Sequence, residues 1–277
     1  MCLKQDVNAD FRRLWGEGNI VFDHAFSVNG EVFRDIKNRK TMRFTVDGKN
    51  YFIKIHRGVG WKEIWKNLFQ LKRPVISAAN EYLAIRRLEE LHVETMVCCA
   101  FAERGRNPAR RESFLVTEEL KHKISLEDFC RNWKKNPPAS SVKHRIIREL
   151  ADVCARMHFS GLNHRDCYLC HFLLDQEKFA KGEISLCVLD LHRAEIRRKI
   201  PRRLQVKDVA GIFFSSMDSG ITRRDALRFI AHYSSYGKLD RHFWKSVEKT
   251  AEKLYRKEFK RNPVLDVSFS LQKEEKK

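Results

Sequence analysis

The segment that most constrains this chain runs Asn163-His164-Arg165-Asp166-Cys167-Tyr168-Leu169-Cys170-His171-Phe172-Leu173-Leu174, followed by Cys187-Val188-Leu189-Asp190. A carboxylate, Asp166, follows a basic pair, and a polar residue, His171, stands five positions on. A short apolar strand comes next, and a second apolar run ends at Asp190. Phosphoryl transfer asks for little covalent chemistry from a protein. It asks for one carboxylate to orient and deprotonate an attacking hydroxyl, and another to hold the metal that neutralises charge on the phosphates. Asp166 and Asp190 are spaced for those two tasks.

The same stretch has rival readings. Cys167-x-x-Cys170-His171 has the form of a c-type haem attachment signature, and a Cys-x-x-Cys pair can be redox-active or bind zinc. Haem attachment requires an exported chain, and Met1-Cys2-Leu3-Lys4-Gln5-Asp6 has no apolar signal core. Zinc requires a second ligand pair at suitable spacing, which Cys98-Cys99 and Cys130 do not supply. Buried, inert thiols are the expectation. Eight scattered Cys suggest a reducing compartment without disulfides.

Upstream, Val142, Ile146, Leu150, Val153 and Met157 step along one face of a long helix that ends at Gly161 and delivers the chain into His164-Arg165-Asp166. In that order the residues match a kinase catalytic loop. Ser125-Leu126-Glu127-Asp128 has the form of a capped helix start. Residues 20–55 read as strands and turns: a hairpin-type Asn-Gly in Val28-Asn29-Gly30-Glu31, and Asp47-Gly48 joining Arg43–Val46 to Tyr51–Ile55. Lys54 falls in that apolar strand, where a cation needs an anionic partner. A phosphate and a helix carboxylate would serve. Glu81 opens a helix with Tyr82, Ile85, Leu88 and Leu91 on one face and is expected to face Lys54. The alternative is a surface residue favoured by the helix dipole. Thr95 to Arg104 and Ser113 to Leu120 read as strands, with Thr117-Glu118-Glu119-Leu120 as a connector between lobes. Its backbone groups would meet an adenine, which puts Glu118 among the nucleotide-binding residues. Further helices are expected over 206–214, 222–233 and 240–260.

A formal charge of +19 implies a polyanionic partner: nucleic acid, an anionic membrane, a phosphorylated glycolipid or an acidic protein such as acyl carrier protein. No helix-turn-helix, finger or RNA-binding strand signature is present, so nucleic acid is not expected. The densest basic run, from His192 to Arg203, follows Asp190 directly. Arg193, Arg197, Arg198, Arg202 and Arg203 are expected to bind an anionic substrate, because guanidinium clusters suit phosphates and carboxylates. Residues 61–73 form a basic amphipathic helix with Trp61, Ile64, Trp65, Leu68, Phe69 and Leu71 on one face and Lys62, Lys66, Lys72 and Arg73 elsewhere. It suits a membrane interface, or packing against the smaller lobe. Four such cations at about 1 kcal/mol each give about millimolar affinity, so apolar insertion would have to add to them.

Assembled, these residues resemble the inner-core lipopolysaccharide heptose(I) kinase family of Gram-negative bacteria, distant relatives of the protein-kinase fold. The resemblance is clearest at Tyr51 to Lys54, Ile124 to Asp128, Asn163 to Leu174, Asp190 to Ala194, Pro201 to Arg203 and Phe214 to Met217. It implies an α+β, two-lobed protein-kinase-like fold with a small, mainly β N-lobe (1–120) and a larger helical C-lobe (121–277). It implies ATP-dependent phosphorylation of the first heptose of the inner core, on a lipid A-core acceptor. The enzyme would sit peripherally on the cytoplasmic face of the inner membrane, with magnesium as metal. Lys54 would hold the α/β-phosphates and Glu81 would hold Lys54. Asp166 would be the catalytic base and Asp190 the metal ligand. Asp208 resembles the buried carboxylate that braces a kinase catalytic loop; the alternative is a surface helix-start residue.

Two departures matter. No closely spaced glycines precede Lys54, so Val28-Asn29-Gly30-Glu31 is expected to cover the phosphates. His171 stands where protein kinases place a metal-binding Asn. Magnesium prefers oxygen and imidazole suits softer metals. Either His171 binds phosphate or water, or it ligates a metal and manganese performs well. Two rivals stand beside the kinase: a scaffold that holds an acidic protein or anionic membrane, and a kinase for another acceptor. A scaffold has no need of Lys54, Asp166 and Asp190 together, and the Arg193–Arg203 cluster disfavours a cationic antibiotic as acceptor.

Overall fold

The structure, a computed structural model, describes residues 3–36, 38–69 and 74–263. The chain divides into two compact units, one of residues 1–86, 95–121 and 191–193, the other of residues 87–94, 122–190 and 194–277.

Alternating burial builds the first unit. Its elements are β1 (Leu3–Val7), α1 (Ala9–Trp15), α2 (Asn19–Ser27), β2 (Glu31–Ile36), β3 (Arg39–Val46), β4 (Lys49–Arg57), α3 (Gly60–Phe69), the start of α4 (Ala79–Glu90), β5 (Cys98–Arg104) and β6 (Glu112–Glu118). The strands make one antiparallel sheet in the order β1-β5-β6-β4-β3-β2. Along β4, Tyr51, Ile53 and Ile55 turn to one face and are buried, which puts Lys54 and His56 on the other. Phe11 and Trp15 of α1 and Val21, Phe22 and Ala25 of α2 cover the apolar face, packed on Phe44, Ile53, Ile55 and Phe114. On the edge, β1 is tied down by Asp6, which accepts from Tyr82 Oη at 2.7 Å and from Arg86 Nη2 at 2.6 Å.

Two expectations for this region are corrected. Residues 20–27 are helical, because Val21, Phe22 and Ala25 share one buried face at helical spacing. With a helix before it, Val28-Asn29-Gly30-Glu31 is the exit from α2 into β2 and not a hairpin turn. In the neighbouring strand pairs Ile36 is the register partner of Arg39, and Thr41 is the register partner of Lys54. The aromatic helix is present as α3; Gln70, Leu71, Lys72 and Arg73 lie outside the described residues, as do residues 264–277.

The second unit is helical around two small sheets. It holds β7 (Lys123–Ser125), α5 (Leu126–Cys130), α6 (Ser140–Phe159), β8 (Leu162–Asn163), β9 (Phe172–Asp175), α7 (Gln176–Ala180), β10 (Leu186–Val188), β11 (Glu195–Ile196), α8 (Arg202–Ser216), α9 (Arg223–Ser234) and α10 (Arg241–Phe259). Strand order is β10-β9-β7 in one sheet, and β11 pairs with β8 in the other. Ser125 caps α5 by accepting the Asp128 N–H at 3.0 Å, as the sequence pattern predicts. Ile146, Leu150, Val153 and Met157 of α6 are buried as one face. Helix α8 starts at Arg202, four residues before the expected 206, because Pro201 can close an N-terminus without an N–H to satisfy. Mixed sheet and helix, with the sheet-rich part first and the helical part second, is the α+β class expected. Among the described residues no helix is long and apolar enough to cross a membrane.

Candidate active site

Glycine and a buried carboxylate shape the loop that carries Asp166. At the end of α6, Gly161 has φ +92°, a left-handed conformation that strains any other residue, and a Cβ there would lie 1.9 Å from Arg197 O. The close approach lets Arg197 N donate to Gly161 O at 2.9 Å, where β8 and β11 pair. The chain then enters His164-Arg165-Asp166 past the middle of α8. Asp208, 1 % exposed on α8, accepts the backbone N–H of His164 at 2.8 Å and of Arg165 at 3.0 Å. Asn163 Nδ2 donates to the same carboxylate, and His158 Nε2 reaches it at 3.3 Å. Burial pushes the Asp208 carboxyl up, but the donors and imidazoles of His158 and His164, with the Arg165 N–H, hold it below the usual range. One turn further along α8, a Cβ on Gly211 would lie 2.4 Å from Cys167 O, so only glycine lets the helix meet the loop this closely. Ser215 Oγ accepts the Leu169 N–H at 3.0 Å and completes the seam.

Arg165 has φ +73°. A non-glycine residue persists there when its surroundings over-determine it, and Arg165 is held at both ends: by Asp208 at its backbone and by Glu195 at its side chain, Nη1 to Oε1 2.7 Å. Glu195 is buried and also accepts from Arg197 Nε at 3.0 Å. Asp166 follows, half-buried, with its backbone oxygen accepting from His171 Nδ1 at 2.6 Å. The His171 ring stacks on His164, centroids 5.7 Å apart and planes 5° apart. Burial lowers the His164 pKa, which keeps that ring neutral and lets its Nε2–H donate to Leu189 O at 2.8 Å. This bond ties the loop to the segment ending at Asp190, which itself sits at φ +57°. His171 Nε2 lies 3.5 Å from Asp190 Oδ2. Burial opposes charge on His171, but Cys170, the Asp166 carbonyl and the Asp190 carboxylate outweigh it and raise its pKa to about 9.

In the first unit, Lys54 Nζ donates to Glu81 Oε1 at 2.5 Å. Glu81 is 1 % exposed, so it is a buried partner for the strand cation and not a surface residue. Glu118 closes β6, and its N–H donates to Val97 O at 3.1 Å. Glu119 beside it accepts from Asn50 Nδ2 at 2.7 Å and from Arg43 Nε at 2.7 Å.

The basic residues separate. Arg193 belongs to the first unit. Arg197 is engaged by Glu195, and Arg202 by Asp240, with its guanidinium 5.5 Å over the Phe243 ring. Arg198, Lys199 and Arg203 are exposed and make no ion pair among the described residues. Sequence reasoning passed over Asn163, His158, Arg165 and Glu195. A lone acid inside the arginine run was the one visible signal for Glu195. Seven described cysteines are free thiols; Cys167 is buried and its thiol is pushed up by burial.

An Asp190 oxygen donor, partly exposed and turned by a left-handed backbone, fits magnesium, which takes one or two protein carboxylates together with substrate phosphates.

Residues 23–233 match the model of the lipopolysaccharide kinase (Kdo/WaaP) family. The chain belongs to that family. Among its members, it is 47 % identical over 224 residues to the lipopolysaccharide core heptose(I) kinase WaaP of Pseudomonas aeruginosa, covering 80 % of this chain and 83 % of that one. It is 48 % identical over 221 residues to the WaaP of Escherichia coli K12, covering 79 % and 83 %. A solved structure of this lipopolysaccharide kinase family, WaaP in complex with acyl carrier protein, superposes with a TM-score of 0.75 at 38 % identity, covering 91 % of this chain and 99 % of that one.

Proposed function

We propose that the chain transfers the γ-phosphoryl group of ATP to a hydroxyl of the first heptose of the lipopolysaccharide inner core, on a lipid A-core acceptor. The observation that carries this reading is the Asp208-braced loop presenting Asp166, in a chain whose relatives are named heptose(I) kinases along most of their length. Asp166 takes the heptose hydroxyl proton as the oxygen attacks in line. Lys54, fixed by Glu81, holds the α- and β-phosphates, and Glu118 lies in the connector that meets the adenine. Asp190 holds the divalent metal, magnesium with manganese as a substitute, and His171 sits beside that carboxylate. Bound there, the metal neutralises charge on the phosphate oxygens. Of the basic run, Arg198 and Arg203, exposed and in no ion pair among the described residues, supply cations for an acceptor rich in phosphate and carboxylate, while Arg197 and Arg202 also hold Glu195 and Asp240, and Arg193 adds to the positive field.

The charge of +19 supports two further partners, an anionic bilayer at the cytoplasmic face of the inner membrane and an acidic carrier protein. The solved relative is described with acyl carrier protein, which supports the second. The scaffold reading is disfavoured, because a scaffold gains nothing from burying Glu81 against Lys54. Phosphate transfer from ATP to core glycolipid lacking core phosphate tests the proposal. Kdo, aminoglycoside and protein hydroxyls as parallel acceptors separate this kinase from one with another substrate.

A further inference from the structure

Helix α3 is attached to its unit by one buried side chain, Ile64. Around the remaining surface it exposes large apolar groups: Trp61 is 50 % exposed, Trp65 53 %, Leu68 46 % and Phe69 81 %. Positions 61, 65, 68 and 69 fall one and two turns apart, so they form a single stripe. The Trp65 and Phe69 rings lie side by side at 6.1 Å. Contiguous exposed apolar side chains of this size mark an interaction surface.

The rim of the stripe is cationic. Lys62 and Lys66 flank it on the helix, and Lys66 meets its one acid, Glu63, at 3.9 Å, the weak end of an ion pair. The short 3-10 segment Pro108–Arg110 packs against α3 and brings Arg110 beside it, with Arg106 just ahead in the chain. Lys62, Arg106 and Arg110 are exposed and make no ion pair among the described residues. Glu63, the acid on this helix, is partly exposed and accepts from Asn67 Nδ2 at 3.1 Å.

We infer that α3 is an interfacial anchor that seats the first unit on an anionic phospholipid bilayer. The inference rests on the placement at an anionic leaflet proposed above and names the element that makes the contact. Indole rings favour the boundary between headgroups and acyl chains, Phe and Leu reach below it, and lysine stems extend back to the phosphates. Charge complementarity chooses the occupant: a net basic rim, with Lys62, Arg106 and Arg110 in no ion pair among the described residues, around an aromatic centre matches a surface that is negative outside and apolar within. A carrier protein would offer acids to the rim but no apolar layer deep enough for four such side chains.

Co-sedimentation of the full chain tests this, with vesicles of phosphatidylcholine alone and of phosphatidylcholine with phosphatidylglycerol. Wild type should bind the anionic vesicles and be weakened by salt. Trp65→Ala/Phe69→Ala should bind them more than about tenfold less well, while keeping wild-type circular dichroism and wild-type transfer to acceptor dissolved in detergent. Lys62→Glu/Arg110→Glu should lose the preference for anionic over neutral vesicles. No binding by wild type, or unchanged binding by the aromatic variant, overturns the inference. So does normal vesicle binding by that variant with loss of acyl carrier protein capture, which would give the face to a protein. Vesicle binding through α3 by a chain that transfers no phosphate would leave the inference standing and sink the enzymatic reading.

Discussion

Asp208 accepts the backbone N–H of His164 at 2.8 Å from within α8, and the loop that carries Asp166 takes its shape from that bond. The same carboxylate satisfies Arg165, Asn163 and His158. Removing it leaves several buried donors without an acceptor. Asp208→Ala should therefore cost about 3–5 kcal/mol of stability, read as a lower urea midpoint at unchanged slope, together with a large loss of kcat. A change under about 1 kcal/mol would show that the loop does not depend on this carboxylate.

Lys54 and Glu81 pair at 2.5 Å. Lys54→Ala and Glu81→Gln should each lower kcat/KM for ATP by about 10- to 1,000-fold, and the double variant should be little worse than either alone. Full additivity in that cycle would mean the two residues act separately.

Asp175 has no part in the proposed reaction. Its hydrogen bond from Lys123, helped by the Lys178 N–H it caps in α7, lowers its pKa from 3.8 to about 2. A depressed carboxyl stabilises the fold above its unfolded value, and that contribution is lost as pH falls through about 2. Acid unfolding of Asp175→Asn should accordingly begin from lower stability at neutral pH and fall less steeply between about pH 4 and pH 2. Parallel curves for the two proteins would contradict this.

His171 has its Nδ1 committed to the Asp166 carbonyl, so Nε2 alone faces Asp190. With Asp190 as the ligand, His171→Asn should lower turnover with magnesium and with manganese in the same proportion. A swing of the manganese-to-magnesium ratio beyond about tenfold would put Nε2 on the metal.

Much of the candidate site was legible because its residues lie close together in the sequence. Asp166, His171 and Asp190 sit in one short stretch, and Lys54 announced itself as a cation in an apolar strand. Its partner Glu81 required only a helix register. The bracing of the loop was less visible, because it is assembled from long range: Asn163, His158 and Asp208 come from three separate elements, and Tyr233 of α9 meets His158 Nδ1 at 2.6 Å. Glu195 hid among arginines that it turns out to hold. Local pattern also misled at Ile20-Val21-Phe22, where β-branched and aromatic residues suggested a strand but tertiary packing made α2. The Arg run concealed the first turn of α8 in the same way.

The most direct test of the account is transfer of labelled γ-phosphate from ATP to lipopolysaccharide lacking core phosphate, by wild type beside Asp166→Ala. The account predicts transfer by wild type and a rate lower by roughly 10²- to 10⁴-fold in the variant, about 3–5 kcal/mol of barrier. Near-normal transfer by a well-folded Asp166→Ala protein would contradict Asp166 as the base, and no transfer by wild type would contradict the kinase itself.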